Sequence, residues 1–500
     1  MDGVGFPGSV LDALRSSPGR TVFEQGDRSV SRGELLELIW RWANALREAG
    51  LGPGQGVAIC TAVSPEAFAV HMGAHVLGCR VVGVRPGYAA GQLAHVLGMG
   101  VEALVVDRST ATPELLAAAG TIPVMPLEEC AGERLPVEVT ARPDGVAALN
   151  FTSGSTGRPK GCAITYRALG EHWAWQPRLW SPVARELAGA FERYMVFGTL
   201  ASMVVMEFLA LCVLGEGTAV IPEEDGRPLF PYAIERHGIT GSIITVPRLH
   251  GMLEVLRDEP VDVGSLRGLM VSGSPLSPDR LAAAVRRLGP VVYQGYGQTE
   301  AGSISMLTPG DIARGPEGVL ASVGRPHPRV EISLRDGEIH VRSPYLMAGY
   351  WADEAETRDT LRDGWLRTRD LGHLDEDGFL YLTGRTRDAI MVNAMVVYAG
   401  PIEVALARHP DVMEAYVVGA PDDRAGEAVH AFVVPVDGRE PDREALRALV
   451  RAELGADSVP QTITTVSGVP VAASGKPDKA ALLSDPTLLS DRSLRIRREH

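Results

Sequence analysis

The sequence predicts an α/β protein of more than one domain: a large N-terminal unit of sheets and helices, a β-rich segment, and a small C-terminal α+β unit. Three observations carry that prediction. Short apolar runs alternate with helical stretches as far as residue 293, the pattern of a parallel sheet covered by helices. After about residue 330 the texture changes to period-two hairpins, and from about residue 386 helix and strand mix on a smaller scale. With 500 residues, the chain also exceeds the roughly 150 residues of a typical single domain.

Taken in order, Ser31 caps a helical segment through Ala49, and residues 57–60 read as a buried strand. A small-residue helix follows over 65–77, then strands over 80–84 and 104–107. His71 and His75 stand four apart on that helix; with no third ligand nearby they read as packing histidines rather than a metal pair. Residues 195–214 are nearly long enough to span a bilayer, but Glu207 interrupts them and no basic flanks appear, so a buried helix is expected. Further short strands are expected over 218–222, 241–246, 269–272 and 291–293. Hairpins are expected around Asp336-Gly337 and around 375–378. In the last block a helix is expected over 401–409, with Pro401 in its first turn, and strands over 414–418 and 430–435.

Composition excludes several classes. Hydrophobic residues at 45% and charged residues at 22% rule out wholesale disorder. The 48 basic and 62 acidic residues give a net charge of −14, which argues against nucleic acid or an anionic membrane as the main partner. A local pocket for one small polyanion remains open. Five cysteines without C-x-x-C spacing, and a start with no signal-peptide core, lead to the expectation of a reducing, cytoplasmic setting.

The densest chemistry lies in Phe151-Thr-Ser-Gly-Ser-Thr-Gly-Arg-Pro-Lys-Gly161, where glycines, hydroxyls and one lysine follow an apolar run. Glycine lets backbone N–H groups turn toward an anion, hydroxyls add donors, and lysine adds a mobile cation. It is not a Walker A loop, because Gly161 follows Lys160. The segment resembles the phosphate-binding signature of the adenylate-forming superfamily: acyl-CoA synthetases, peptide-synthetase adenylation domains and luciferases. Other motifs come in that family's order. They are Tyr293-Gln-Gly-Tyr-Gly-Gln-Thr-Glu300, Gly337-Glu-Ile-His-Val-Arg with Gly349-Tyr-Trp351, Gly364-Trp-Leu-Arg-Thr-Arg-Asp370, Gly384-Arg385 and Ser474-Gly-Lys476.

The resemblance implies a layered N-terminal domain over 1–385 and a mobile C-terminal lid over 386–500. It also implies that a carboxylate attacks the α-phosphorus of ATP, and that a nucleophile then displaces AMP. In that scheme Thr152, Ser153, Gly154, Ser155, Thr156, Gly157 and Lys160 hold the β and γ phosphates. Thr299 reaches the α-phosphate, Glu300 helps hold Mg²⁺, and Lys476 brings a cation to the bridging and carboxylate oxygens. Asp370 accepts the ribose hydroxyls, Arg385 touches ribose or phosphate, and Tyr296 stacks on adenine opposite Gly273 and Ser274. The acyl pocket draws on Phe197, Thr199, Met203, Thr245, Pro247 and Gly295.

Four positions depart from the family pattern. Arg369 replaces the glycine before the ribose aspartate, and Arg387 stands at the lid hinge. Asn393-Ala-Met395 replaces a glycine-rich pair, and Ala399-Gly-Pro401 replaces P-x-E. Phe197-Gly-Thr also stands where many acyl-CoA synthetases have a histidine. The resulting expectation is a Mg·ATP-dependent ligase for a small carboxylic acid, aromatic in one reading, with the thiol of CoA as default acceptor. Its alternatives are an amine acceptor, activation of nitrite toward an aryl amine, or a nucleotide-binding sensor without chemistry.

Overall fold

Strands with both faces covered are nearly continuous apolar runs, and Gly56–Cys60 and Arg80–Gly83 are buried at every residue, the Arg80 guanidinium donating to the Gly54 and Gly100 carbonyls. They lie in a seven-stranded sheet ordered Gly349–Tyr350, Lys160–Thr165, Val146–Thr152, Arg80–Gly83, Gly56–Cys60, Val101–Val106, Val124–Pro126. The computed structural model describes residues 5–152, 159–273, 276–392, 395–422, 426–436, 439–470 and 477–482. A nine-stranded sheet is parallel from Thr21–Gln25 through Thr218–Ile221, Arg193–Met195, Gly241–Thr245 and Gly268–Ser272 to Val292–Gln298. Antiparallel strands finish it at both edges.

The β-rich segment forms its own antiparallel sheet: Glu331–Arg335 pairs with Glu338–Arg342, then Trp365–Leu374, which also carries Leu380–Arg385. Sheet membership changes after Arg385. Ala389–Val392 and Met395–Tyr398 join Gly426–Pro435, Val412–Asp422 and Thr462–Thr465 in a separate sheet with its own apolar core.

Local signals account for many of these elements. Ser31 accepts from the Glu34 N–H while the Glu34 carboxylate accepts from the Ser31 N–H, a capping box that starts Arg32–Glu48. The small-residue helix Pro65–Val76 is buried along its length, including His71 and His75. Burial lowers those imidazoles to about 4 and about 3, and the described residues contain no metal-holding cluster. The long apolar stretch divides into the strand Arg193–Met195, a loop, and the helix Met203–Leu214, which is buried from Val205 onward. No helix among the described residues is long and apolar enough to cross a membrane.

Two expectations need correction in the last block. The helix runs Ala399–Leu406, so Pro401 is its third residue, where its missing N–H still has no intrahelical acceptor to lose. The strands are also longer than their apolar centres. Val412–Asp422 and Gly426–Pro435 pair along almost their whole length, and the polar ends at Asp422 and Glu427 concealed this.

Candidate active site

Antiparallel pairing sets Thr152 opposite Lys160, so the chain leaves and re-enters the seven-stranded sheet at the two ends of the phosphate loop. Ser153, Gly154, Ser155, Thr156 and Gly157 lie outside the described residues, as do Ser274 and Lys476. Lys160 itself is well placed. Its Nζ is 2.9 Å from Glu356 Oε1 and 5.5 Å from the centre of the Tyr350 ring. The neighbouring strand Gly349–Tyr350 pairs with Cys162 and Ala163, which fixes Tyr350 beside Lys160. The Tyr350 hydroxyl donates to Glu300 Oε1 at 2.8 Å, and burial beside Glu300 pushes that phenol far up. One tyrosine thus couples the lysine expected to hold phosphate to the expected metal ligand.

Glu300 and Thr299 sit in the turn between Val292–Gln298 and Gly302–Leu307, both partly exposed. That turn ends a strand shared with Tyr296 and Gln298. Asp370 reaches the same place from the β-rich sheet, where it stands directly opposite Arg385. Its carboxylate is buried at 3% exposure and is held from three directions. Tyr296 Oη and Gln298 Nε2 each donate to Oδ2 at 2.6 Å, and Arg385 Nε donates to Oδ1 at 2.7 Å. The Asp370 charge raises the Arg385 guanidinium further above its ordinary value. A carboxylate has about four acceptor directions, so these three bonds orient it and leave room for one more donor, one ribose hydroxyl rather than the two expected from the sequence. Tyr296 commits its hydroxyl to Asp370, which leaves its ring as the part that can meet a base.

The pocket candidates gather where the parallel strands end. Phe197 and Thr199 follow Arg193–Met195, Met203 opens the next helix, Thr245 ends Gly241–Thr245, and Gly295 lies in Val292–Gln298. Ligands in open α/β sheets bind at such carboxyl ends. Phe197 packs edge-on to Phe230 at 5.5 Å, with the Arg248 guanidinium 4.7 Å from its ring centre. A Cβ on Gly295 would come within 3.1 Å of the Met270 sulfur, so glycine allows a close strand contact there.

A second polar feature was not visible in the sequence. Glu207, on the buried helix, faces His172 Nε2 at 3.3 Å, off the line of a hydrogen bond. His172 Nδ1 accepts from the Ala174 N–H, so the ring proton sits on Nε2, close to that carboxyl but without a hydrogen bond to it. Burial raises Glu207 to about 8 and lowers His172 to about 3, which makes both groups neutral near pH 7. Tyr350, Glu356 and Gln298 were also missed as site residues. Gln298 occupies the free position of a motif, and Glu356 enters only through tertiary packing.

Among the departures, Arg369 adopts φ +61°, the left-handed region that glycine enters freely. Asn393 and Ala394 lie outside the described residues, and Met395 is 57% exposed. Lys479 Nζ lies 3.1 Å from Asp388 Oδ2 and 2.7 Å from Glu403 Oε1, tying the end of the described chain to the segment between the sheets. Arg280 donates to the Val412 carbonyl at 3.0 Å across the same divide.

Comparison with known proteins decides the family. The AMP-binding enzyme profile matches residues 11–351, and the AMP-binding enzyme C-terminal domain matches residues 401–476. The chain belongs to the AMP-binding enzyme family. It is an ATP-dependent, AMP-forming ligase of the adenylate-forming superfamily, with a large N-terminal and a smaller C-terminal domain. Among solved structures, the amide bond synthetase McbA from Marinactinospora thermotolerans is 36% identical, with a TM-score of 0.83, over 95% of this chain and 99% of that one. The o-succinylbenzoate CoA synthetase from Bacillus subtilis, solved with its acyl-adenylate, is 25% identical, with a TM-score of 0.82, over 96% and 99%. A feruloyl-CoA synthase from Amycolatopsis is 31% identical over 478 residues, 92% of this chain and 95% of that protein.

Proposed function

We propose that this ligase activates a small aromatic carboxylic acid with ATP and passes the acyl group to an amine. The adenylation half rests on the geometry around Asp370, Lys160 and Glu300. A carboxylate oxygen of the acid attacks the α-phosphorus, the bond to the bridging oxygen breaks, and pyrophosphate leaves with the electron pair. Charge gathers in that step, so preorganised donors and cations do most of the protein's work. Asp370, held by Tyr296, Gln298 and Arg385, receives the ribose. Lys160, with Thr152 and the loop between them, neutralises the β and γ phosphates, Thr299 meets the α-phosphate, and Lys476 serves the bridging oxygen. Glu300 offers the hard oxygen that suits Mg²⁺, which when bound supplies further charge neutralisation to the triphosphate.

In the second half the amine nitrogen attacks the carbonyl carbon, the bond to the phosphate oxygen breaks, and AMP leaves. The amine proton passes to a base. The observation that favours an amine is the 36% identity to an amide bond synthetase at nearly full coverage of both chains, against 31% to the feruloyl-CoA synthase. The side chains at 393–395, in place of a glycine-rich pair, agree with an acceptor path not shaped for a long pantetheine arm. Transfer to CoA is the second reading, supported by CoA ligase relatives such as the feruloyl-CoA synthase.

ATP–pyrophosphate exchange across a panel of aryl acids, alkyl acids and nitrite tests the first half without knowledge of the acceptor. Exchange that depends on an aryl acid is expected. Exchange with nitrite alone, or with short alkyl acids only, would overturn the substrate assignment.

A further inference from the structure

Arg369 combines two unusual properties. It holds a left-handed backbone that is strained for any residue but glycine, and its side chain is only 16% exposed. One guanidinium nitrogen, Nη2, spends its donors on one short helix, Glu354–Thr360. Nη2 lies 2.8 Å from Glu356 Oε1, 2.8 Å from Asp359 Oδ2 and 3.4 Å from Thr360 Oγ1. Glu356 Oε1 is the same oxygen that holds Lys160 Nζ at 2.9 Å. Two cations from different sheets therefore share one carboxylate oxygen, one of them next to the ribose-binding aspartate and the other at the end of the phosphate loop.

We infer that Arg369 is a positioning residue for ATP: it shares Glu356 with Lys160, so that Lys160 can leave that carboxylate for the incoming phosphates. This inference rests on the reading of Lys160 as a phosphate ligand. Without nucleotide, Lys160 is held ready on Glu356, which has a side-chain exposure of 22%. Moving Lys160 to a phosphate strips one cation from a half-buried carboxylate, which has a cost. With Arg369 on the same oxygen, the charge stays balanced after Lys160 departs. Burial alone would push the Glu356 carboxyl up, but Lys160 and Arg369 outweigh it and hold the group ionised. Glycine at 369 would relieve the backbone and lose this second cation.

The test compares two nucleotides on the full-length chain by isothermal titration calorimetry: Mg·AMP-PNP, which carries the β and γ phosphates, and AMP, which lacks them. Arg369→Gly should weaken Mg·AMP-PNP by about tenfold while changing AMP less than about twofold. Adding Glu356→Gln should restore most of the loss, because no charge is then left behind. Arg369→Lys, which keeps the cation, should fall between wild type and the glycine variant. A merely structural tie would behave differently, with AMP and Mg·AMP-PNP weakened alike and no rescue by Glu356→Gln. That result, or unchanged Mg·AMP-PNP binding in Arg369→Gly, would overturn the inference. Lys160→Ala separates the two levels of the argument. It should weaken Mg·AMP-PNP and abolish the effect of Arg369→Gly; if Lys160→Ala leaves Mg·AMP-PNP unchanged, the phosphate role of Lys160 fails and the inference fails with it.

Discussion

Around Asp370, three side chains from two sheets converge in bonds of 2.6–2.7 Å, and a second network joins Lys160, Glu356 and Arg369 at 2.8–2.9 Å. At the strand ends that carry the acyl candidates, the side chains are Phe197, Thr199, Met203 and Thr245, and Met203 shares its helix with Glu207 of the buried, neutral His172–Glu207 pair. The contrast follows the chemistry. ATP presents the same charges whatever acid is activated, so on the proposed reading its groups are met by fixed, mutually oriented donors. The acid and its acceptor are distinguished by shape and desolvation, which apolar walls supply and short motifs do not describe.

The largest effect should come from removing charge on the nucleotide side. Lys476→Ala should lower acid-dependent pyrophosphate exchange by a few hundredfold, about 3–4 kcal/mol in the transition state, while ATP binding stays nearly intact. Equal exchange by wild type and variant would remove Lys476 from the first step. Next, Asp370→Ala strips the acceptor from Tyr296, Gln298 and Arg385 together. AMP binding should be lost, and unfolding in urea should show a stability loss of roughly 2–3 kcal/mol, toward the low end for a broken buried pair because Arg385 is 54% exposed. A variant that still bound AMP would show that the ribose lies elsewhere.

Much of this nucleotide side was legible in the sequence. Thr152, Lys160, Glu300, Asp370 and Arg385 stand in ordered motifs, strand register sets Thr152 opposite Lys160 and Asp370 opposite Arg385, and Tyr350 ties Glu300 to the Lys160 side. The capping box at Ser31 and the hairpin at Asp336-Gly337 were equally local signals, read without tertiary information. What escaped was long-range. Glu356 meets Lys160 across 196 positions, and His172 meets Glu207 only because a loop and a buried helix pack together. The lid strands were underestimated for the opposite reason, since hydrogen-bond pairing carried them past their apolar centres into polar ends.

The acyl side makes a smaller, pH-dependent prediction. Glu207 is raised from 4.5 to about 8, so between those values the folded state holds a proton that the unfolded state has released. Its contribution to stability is therefore lost as pH rises, by at most about 1.4 kcal/mol per unit. His172, lowered to about 3 from 6.5, acts with the opposite sign below pH 6.5, which leaves the interval from 6.5 to 8 to Glu207. Melting temperature should fall across that interval in the wild type and fall less in Glu207→Gln; parallel curves would mean that Glu207 is ionised in the fold. The smallest effect serves as a reference away from both regions. Ser31→Ala breaks the capping box and should cost about 1 kcal/mol with nucleotide affinity unchanged.

The central claim is acyl transfer from an adenylate to an amine, and product identity tests it most directly. ATP, Mg²⁺ and each aryl acid that supports pyrophosphate exchange would be incubated with an aryl or alkyl amine, with CoA, or with both, and the products separated by mass spectrometry. The account predicts amide and AMP in equal amounts, formed without CoA and undiminished when CoA is added. Acyl-CoA as the accumulating product, with amide absent from the amine-only reactions, would contradict it.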